Sequence, residues 1–155
     1  MLGTSLWFCP KDVLISVGMF EDTPCKQDSI MLLKLLCNGY NIYRVPENLV
    51  YYYEHGGNGI SGTKKRNIIG LNNYRNWCRK NYDKIDNKQI KNVEYKFSKQ
   101  LLTLYIINNM RKEAKKELKN MIKIKPYNNK TILGIVKYIF PRLYLKTIER
   151  KSNEK

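Results

Sequence analysis

Residues 28–55 read DSIMLLKLLCNGYNIYRVPENLVYYYEH. The first part has the period of a helix. Over 28–38, Ile30, Leu33, Leu36 and Cys37 fall on one face, and Gly39 stands where a left-handed C-cap belongs. The second part changes period. Asn41 to Val45 and Asn48 to His55 are rich in β-branched and aromatic residues on either side of Pro46, which predicts two short strands. A helix followed at once by strands predicts an α/β unit.

On the N-terminal side, Ser5 to Cys9 predicts another short strand. Pro10 suits the first turn of a short helix, Lys11 to Val17, closed by Gly18. Met19 to Lys26 is a polar loop. On the C-terminal side, four glycines from Gly56 to Gly62 mark a loop, and the pattern beyond is helical. Lys65 to Tyr82 sends Ile68, Ile69, Leu71, Tyr74, Trp77 and Cys78 toward a core. Lys88 to Ile122 repeats apolar residues at three- and four-residue spacing, from Ile90 through Phe97 and Leu101 to Met110. Pro126 breaks the pattern. Lys130 to Arg150 carries the stripe Ile132, Ile135, Val136, Ile139 and Leu143, which Pro141 kinks or ends early.

The chain has 155 residues, 43% of them hydrophobic, enough for one modest core. Its net charge of +16 is uneven. Residues 1–61 hold four basic and six acidic groups, net −2. Residues 62–155 hold 25 basic and seven acidic groups, net +18. The predicted division is therefore a mildly acidic folded unit over 1–62 and a basic α-helical extension over 63–155 that seeks a polyanion.

Cys9, Cys25, Cys37 and Cys78 lack zinc-site spacing, and only one histidine is present, so reduced thiols in a cytoplasmic protein are expected. Met1 is followed by Gly3, Thr4 and Ser5 without the basic start of a signal peptide. No apolar run approaches the roughly 20 residues of a membrane span.

Four features bear on chemistry. The loop from Gly57 to Lys64 lies between a predicted strand and a helix, as a phosphate-binding loop would. Thr63 precedes Lys64, however, whereas the phosphate loop needs lysine first and the metal-binding hydroxyl after it. Asp28 opens an apolar helix. That placement stabilises a helix N-terminus by up to about 1 kcal/mol, and it also keeps a carboxylate ionised, as a general base requires. His55 ends a predicted strand at a glycine-rich loop, where binding groups gather. The tail interleaves tyrosine with lysine, which suits either base stacking or a helix core with a solvated face.

The order of short motifs is more specific than any one of them. Gly3-Thr-Ser comes first, then Val17-Gly-Met-Phe20-Glu21, Gln27-Asp28, Gly39-Tyr40, Val45-Pro-Glu-Asn-Leu-Val50, Tyr53-Glu-His55 and Gly59-Ile-Ser61. Over roughly residues 3–80 this resembles the acceptor-side half of bacterial family 2 glycosyltransferases of the capsular and cell-surface polysaccharide type. The resemblance implies a partial GT-A half-domain with a few short strands, followed by the helical extension. It also implies transfer of a sugar from a nucleotide-sugar donor to a glycan or lipid-linked acceptor, with inversion.

Asp28 matches the family's catalytic base. Gly3, Thr4, Ser5 and Gln27 match the acceptor-binding stretch, Gln27 standing where glutamate is usual. His55 and Ser61 match the segment near the diphosphate and metal, His55 being a candidate metal ligand. Lys34 stands where many members have arginine. A divalent metal, Mg or Mn, is expected for the complete enzyme as Lewis acid for the leaving diphosphate. This chain contains no Asp-x-Asp metal motif, so the resemblance implies a portion that needs an N-terminal half or partner chain and is inactive alone. The basic tail is expected at the anionic inner face of the cell membrane, a peripheral cytoplasmic position. The alternatives are a basic nucleic-acid-binding protein, disfavoured by the acidic first segment, and a non-catalytic partner subunit.

Overall fold

The computed structural model of the chain describes residues 8–43, 46–47 and 65–153, with side chains described through residue 148. In chain order its helices are α1 Lys11–Ser16, α2 Gln27–Cys37, α3 Lys65–Arg79, α4 Asn87–Ile107, α5 Arg111–Ile124, α6 Asn129–Ile139 and α7 Pro141–Asn153. A 3-10 turn, Tyr82–Lys84, separates α3 from α4.

Among the described residues there is no strand, which corrects the expected α/β class and its partial GT-A half-domain: the described architecture is all-α. Asn41, Ile42 and Tyr43 follow α2 as exposed, irregular backbone. β-rich composition makes a strand only where a neighbouring strand completes the ladder, and helices supply none. The predicted strand at Asn48 to His55, and Ser5 to Trp7 of the earlier one, lie outside the described residues.

α4 is the central helix. Asp86 caps it reciprocally: its side chain accepts from the Gln89 N–H at 2.7 Å, and the Gln89 side chain accepts from the Asp86 N–H at 3.3 Å. Phe97, Leu101, Leu102, Tyr105 and Ile106 are buried along it against Ile68 and Leu71 of α3 and Ala114, Leu118 and Met121 of α5. The long helix predicted from Lys88 to Ile122 is two helices folded back on each other. Asn109 takes a left-handed φ of 56° in the turn between them, a conformation that asparagine tolerates better than most residues. α5 looks mostly charged in sequence, yet Ala114, Glu117, Leu118 and Met121 recur at i, i+3, i+4 and i+7 and form its buried face.

Those charged residues include part of an internal ion network. Arg75 of α3, 5% exposed, donates from Nε to Glu94 of α4 at 2.9 Å and from a terminal nitrogen to Glu117 of α5 at 2.9 Å. Arg79 Nε and the Tyr82 hydroxyl each donate to Glu94 at 2.7 Å. Burial pushes the Glu94 carboxyl up, but the hydrogen bonds from Arg79, Arg75 and Tyr82 outweigh it and hold the pKa at about 2.

α6 docks through Gly134. A Cβ there would come within 3.0 Å of Leu102 Cδ2 and 3.5 Å of Met121 Cε, so the helix backbone lies close on α4 and α5. α6 ends at Ile139, and Pro141 opens α7, where its missing N–H is no loss.

Candidate functional site

The first segment is α1 and α2 joined by a turn, with α2 packed on α3. α1 closes with Gly18 at φ 81° and Met19 at φ 56°, two consecutive left-handed residues that reverse the chain. Lys34 of α2 holds that reversal. Its ammonium donates to the Gly18 carbonyl at 3.3 Å and to the Met19 carbonyl at 2.9 Å, and it pairs with Glu21 at 2.7 Å. Three donors thus meet three acceptors, which is how a lysine only 9% exposed is accommodated. The predicted apolar face of α2 is accordingly rotated. Ile30, Met31, Lys34 and Leu35 are buried, whereas Leu36 is 49% exposed.

The next turn is fastened to α3. Asn73 Nδ2 donates to Thr23 Oγ1 at 3.2 Å, and Gln27 Nε2 donates back to the Thr23 carbonyl at 2.8 Å. Gly70 lets the two approach: a methyl there would overlap Cys25 Sγ and stand 2.7 Å from its carbonyl oxygen. Lys26, in the left-handed region at φ 69°, then turns the chain into α2.

Between this turn and α3 lies a cleft of about 530 Å³. Glu21, Asp22 and Thr23 form one wall, and Asn73, Asn76, Trp77 and Lys80 form the other, with Ile30 at the base. Asn73, Asn76 and Trp77 of α3 and Lys80 just past its end lie at i, i+3, i+4 and i+7, so one face presents two amides, an indole and an ammonium. That spacing is visible in the sequence. The spacing does not mark a site by itself, because Trp77 fits equally well in an apolar core pattern.

Asp28 sits in the first turn of α2, half-buried, two residues before Ile30; it is not one of the residues lining the cleft. Gln27, beside it, serves the Thr23 turn. Gly3, Thr4, Ser5, His55 and Ser61 lie outside the described residues. Among the described residues no three His, Cys, Asp or Glu side chains converge to hold a metal ion.

A second, more apolar cleft of about 430 Å³ opens on the other side of Trp77, between Leu33 and Cys37 of α2 and Tyr74, Cys78 and Phe97. Burial, then Cys37 and Glu94, pushes the Cys78 thiol up to about 11, and burial, then Cys78, pushes the Tyr74 hydroxyl up to about 12. Both stay protonated at neutral pH, which makes Cys78 a poor nucleophile.

No protein-family model, curated protein or solved structure matches the chain.

Proposed function

We propose that this chain is the acceptor-side portion of a family 2-like glycosyltransferase. The observation that supports the reading best is the cleft between the Thr23 turn and α3. Carboxylates at Glu21 and Asp22 and amides at Asn73 and Asn76 suit the paired hydroxyls of a sugar, and the Trp77 indole suits its apolar face. The cleft volume of about 530 Å³ accommodates one or two sugar rings.

In this reading Asp28, two residues before Ile30 and outside the cleft lining, is the base for an acceptor hydroxyl that projects past the cleft toward the start of α2. It takes the proton from that hydroxyl as its oxygen attacks the anomeric carbon. The nucleoside diphosphate leaves from the opposite face, and the configuration inverts. The N-terminal turn of α2 favours the ionised carboxylate. A nucleotide-binding portion, supplied by a further segment or a partner chain, completes the enzyme on the cytoplasmic side of the membrane. Where that portion brings a divalent metal, the metal supplies charge stabilisation to the leaving diphosphate.

Two experiments test this. Titration of the chain with a panel of neutral mono- and disaccharides, followed by amide NMR shifts, is expected to perturb residues 21–23 and 73–80 and to lose that response in Asn76→Ala. Absence of shifts there for every sugar rejects the cleft as an acceptor site. In the complex with the nucleotide-binding portion, Asp28→Asn is expected to lower kcat about 100-fold or more with acceptor binding retained. Full activity of that variant would exclude Asp28 as the base.

A further inference from the structure

α6 is apolar on both sides. Thr131 and Gly134 are buried against α4 and α5, with Ile135 and Tyr138 partly buried beside them. The opposite side carries Ile132, Leu133, Val136, Ile139 and Phe140, continued by Leu143 of α7, all 48–64% exposed. At about 100° per residue these α6 positions span an arc of about 120° directly away from the core. A helix apolar on two faces is ordinarily covered on both, and nothing among the described residues covers this outer face.

The charge around this stripe is of one sign. Residues 118–148 contain no aspartate or glutamate and seven lysines and arginines. Lys119, Lys123, Lys130, Arg142 and Lys146 are exposed. Lys137 is drawn onto the Tyr144 ring, 4.3 Å from its centroid, and ties α6 to α7.

We propose that the outer face of α6 and the start of α7 is a docking surface for an anionic lipid bilayer, with the apolar stripe inserted at the head-group boundary and the flanking cations on the head groups. Charge and apolarity together choose this occupant. A second copy would bring two acid-free cationic faces together. A nucleic acid would satisfy the cations but leave six apolar side chains against a polar, hydrated groove. No helix among the described residues is long and apolar enough to cross a membrane, so the contact is at the surface. The proposal does not depend on the transferase reading.

The test is co-sedimentation of the full chain with vesicles of phosphatidylcholine alone and of phosphatidylcholine mixed with phosphatidylglycerol. Binding is expected only to the anionic vesicles and should weaken as salt rises. Val136→Ser/Ile139→Ser, whose exposed sites leave the fold intact as judged by its thermal melt, is expected to weaken binding about tenfold or more, as for two half-inserted aliphatic side chains. Lys130→Glu/Lys146→Glu is expected to weaken it at low salt and to differ little from the parent chain at high salt. Equal binding to neutral vesicles, or unchanged binding by the serine variant, overturns the proposal. So does a dimer in sedimentation that the serine variant dissociates, or RNA binding that the serine variant retains while neither vesicle is bound.

Discussion

Replacing Arg75 with methionine removes the cation that joins three helices. The magnitude follows from what each carboxylate keeps. Glu94 retains Arg79 and the Tyr82 hydroxyl. Glu117, its side chain 7% exposed, retains among the described residues a 3.4 Å contact from Asn120 Nδ2. Removing one partner of a buried pair typically destabilises by about 3–5 kcal/mol, and the half-compensated Glu94 puts this case near the lower end, about 3 kcal/mol. For a chain of this length that corresponds to a fall in Tm of about 6–12 °C. The pH dependence identifies the cause. The folded Glu94 pKa of about 2 lies below its ordinary 4.5, so its stabilisation is complete above pH 4.5 and is lost as pH falls through about 2. Losing Arg75 releases part of that hold. The gap between parent and variant, measured by urea unfolding followed by circular dichroism, should therefore be widest at neutral pH and narrow from about pH 4.5 downward. Arg75→Met/Glu117→Gln should recover part of the loss, because the stranded charge is gone. A gap as large at pH 3 as at pH 7, or below about 1 kcal/mol at pH 7, would refute the reasoning.

Lys34→Met should destabilise by about 2 kcal/mol, the value of charge-assisted bonds to two carbonyls and a carboxylate. Amide exchange over residues 18–22 should quicken more than exchange in α4, and unchanged exchange there would show that Lys34 does not hold the turn. Gly70→Ala forces a methyl into Cys25, so a loss of about 1–3 kcal/mol is expected, with faster reaction of Cys25 with a thiol reagent under native conditions; a variant of parental stability and reactivity would mean that the turn and α3 are not in contact.

The helices were legible where one face alternates cleanly with another. The start of α4 at Asp86 and the restart at Pro141 follow from capping chemistry that local sequence carries. Two kinds of information were not local. The turn at Asn108 to Met110 interrupts an apolar repeat that continues in phase on either side, so periodicity alone joins α4 to α5. The buried face of α2 includes a lysine, and a hydrophobicity pattern assigns lysine to solvent. Only Gly18, Met19 and Glu21, brought within reach by two left-handed residues, make that burial tolerable. Ile69 shows the reverse: it was expected in the core, yet it is 53% exposed because Gly70, next to it, takes the position against Cys25. Asp28 at the start of α2 was legible, whereas the cleft depends on α3 lying against the Thr23 turn, which sequence order does not reveal.

The same nonlocal logic bears on the meaning of the net charge. Of the seven acidic groups in residues 62–155, Glu94 and Glu117 face inward on Arg75 and do not neutralise the surface. The remaining acids among residues with described side chains, Asp83, Asp86 and Glu113, lie before residue 118. Past residue 62, then, the acids with described side chains lie between the 3-10 turn and α5, and the acid-free stretch lies where α6 turns its second apolar face outward. A merely solvated basic helix would pair its cations with polar or small residues on that face. Ile132, Leu133, Val136, Ile139 and Phe140 occupy it instead, and a partner that is both apolar and anionic accounts for both properties together.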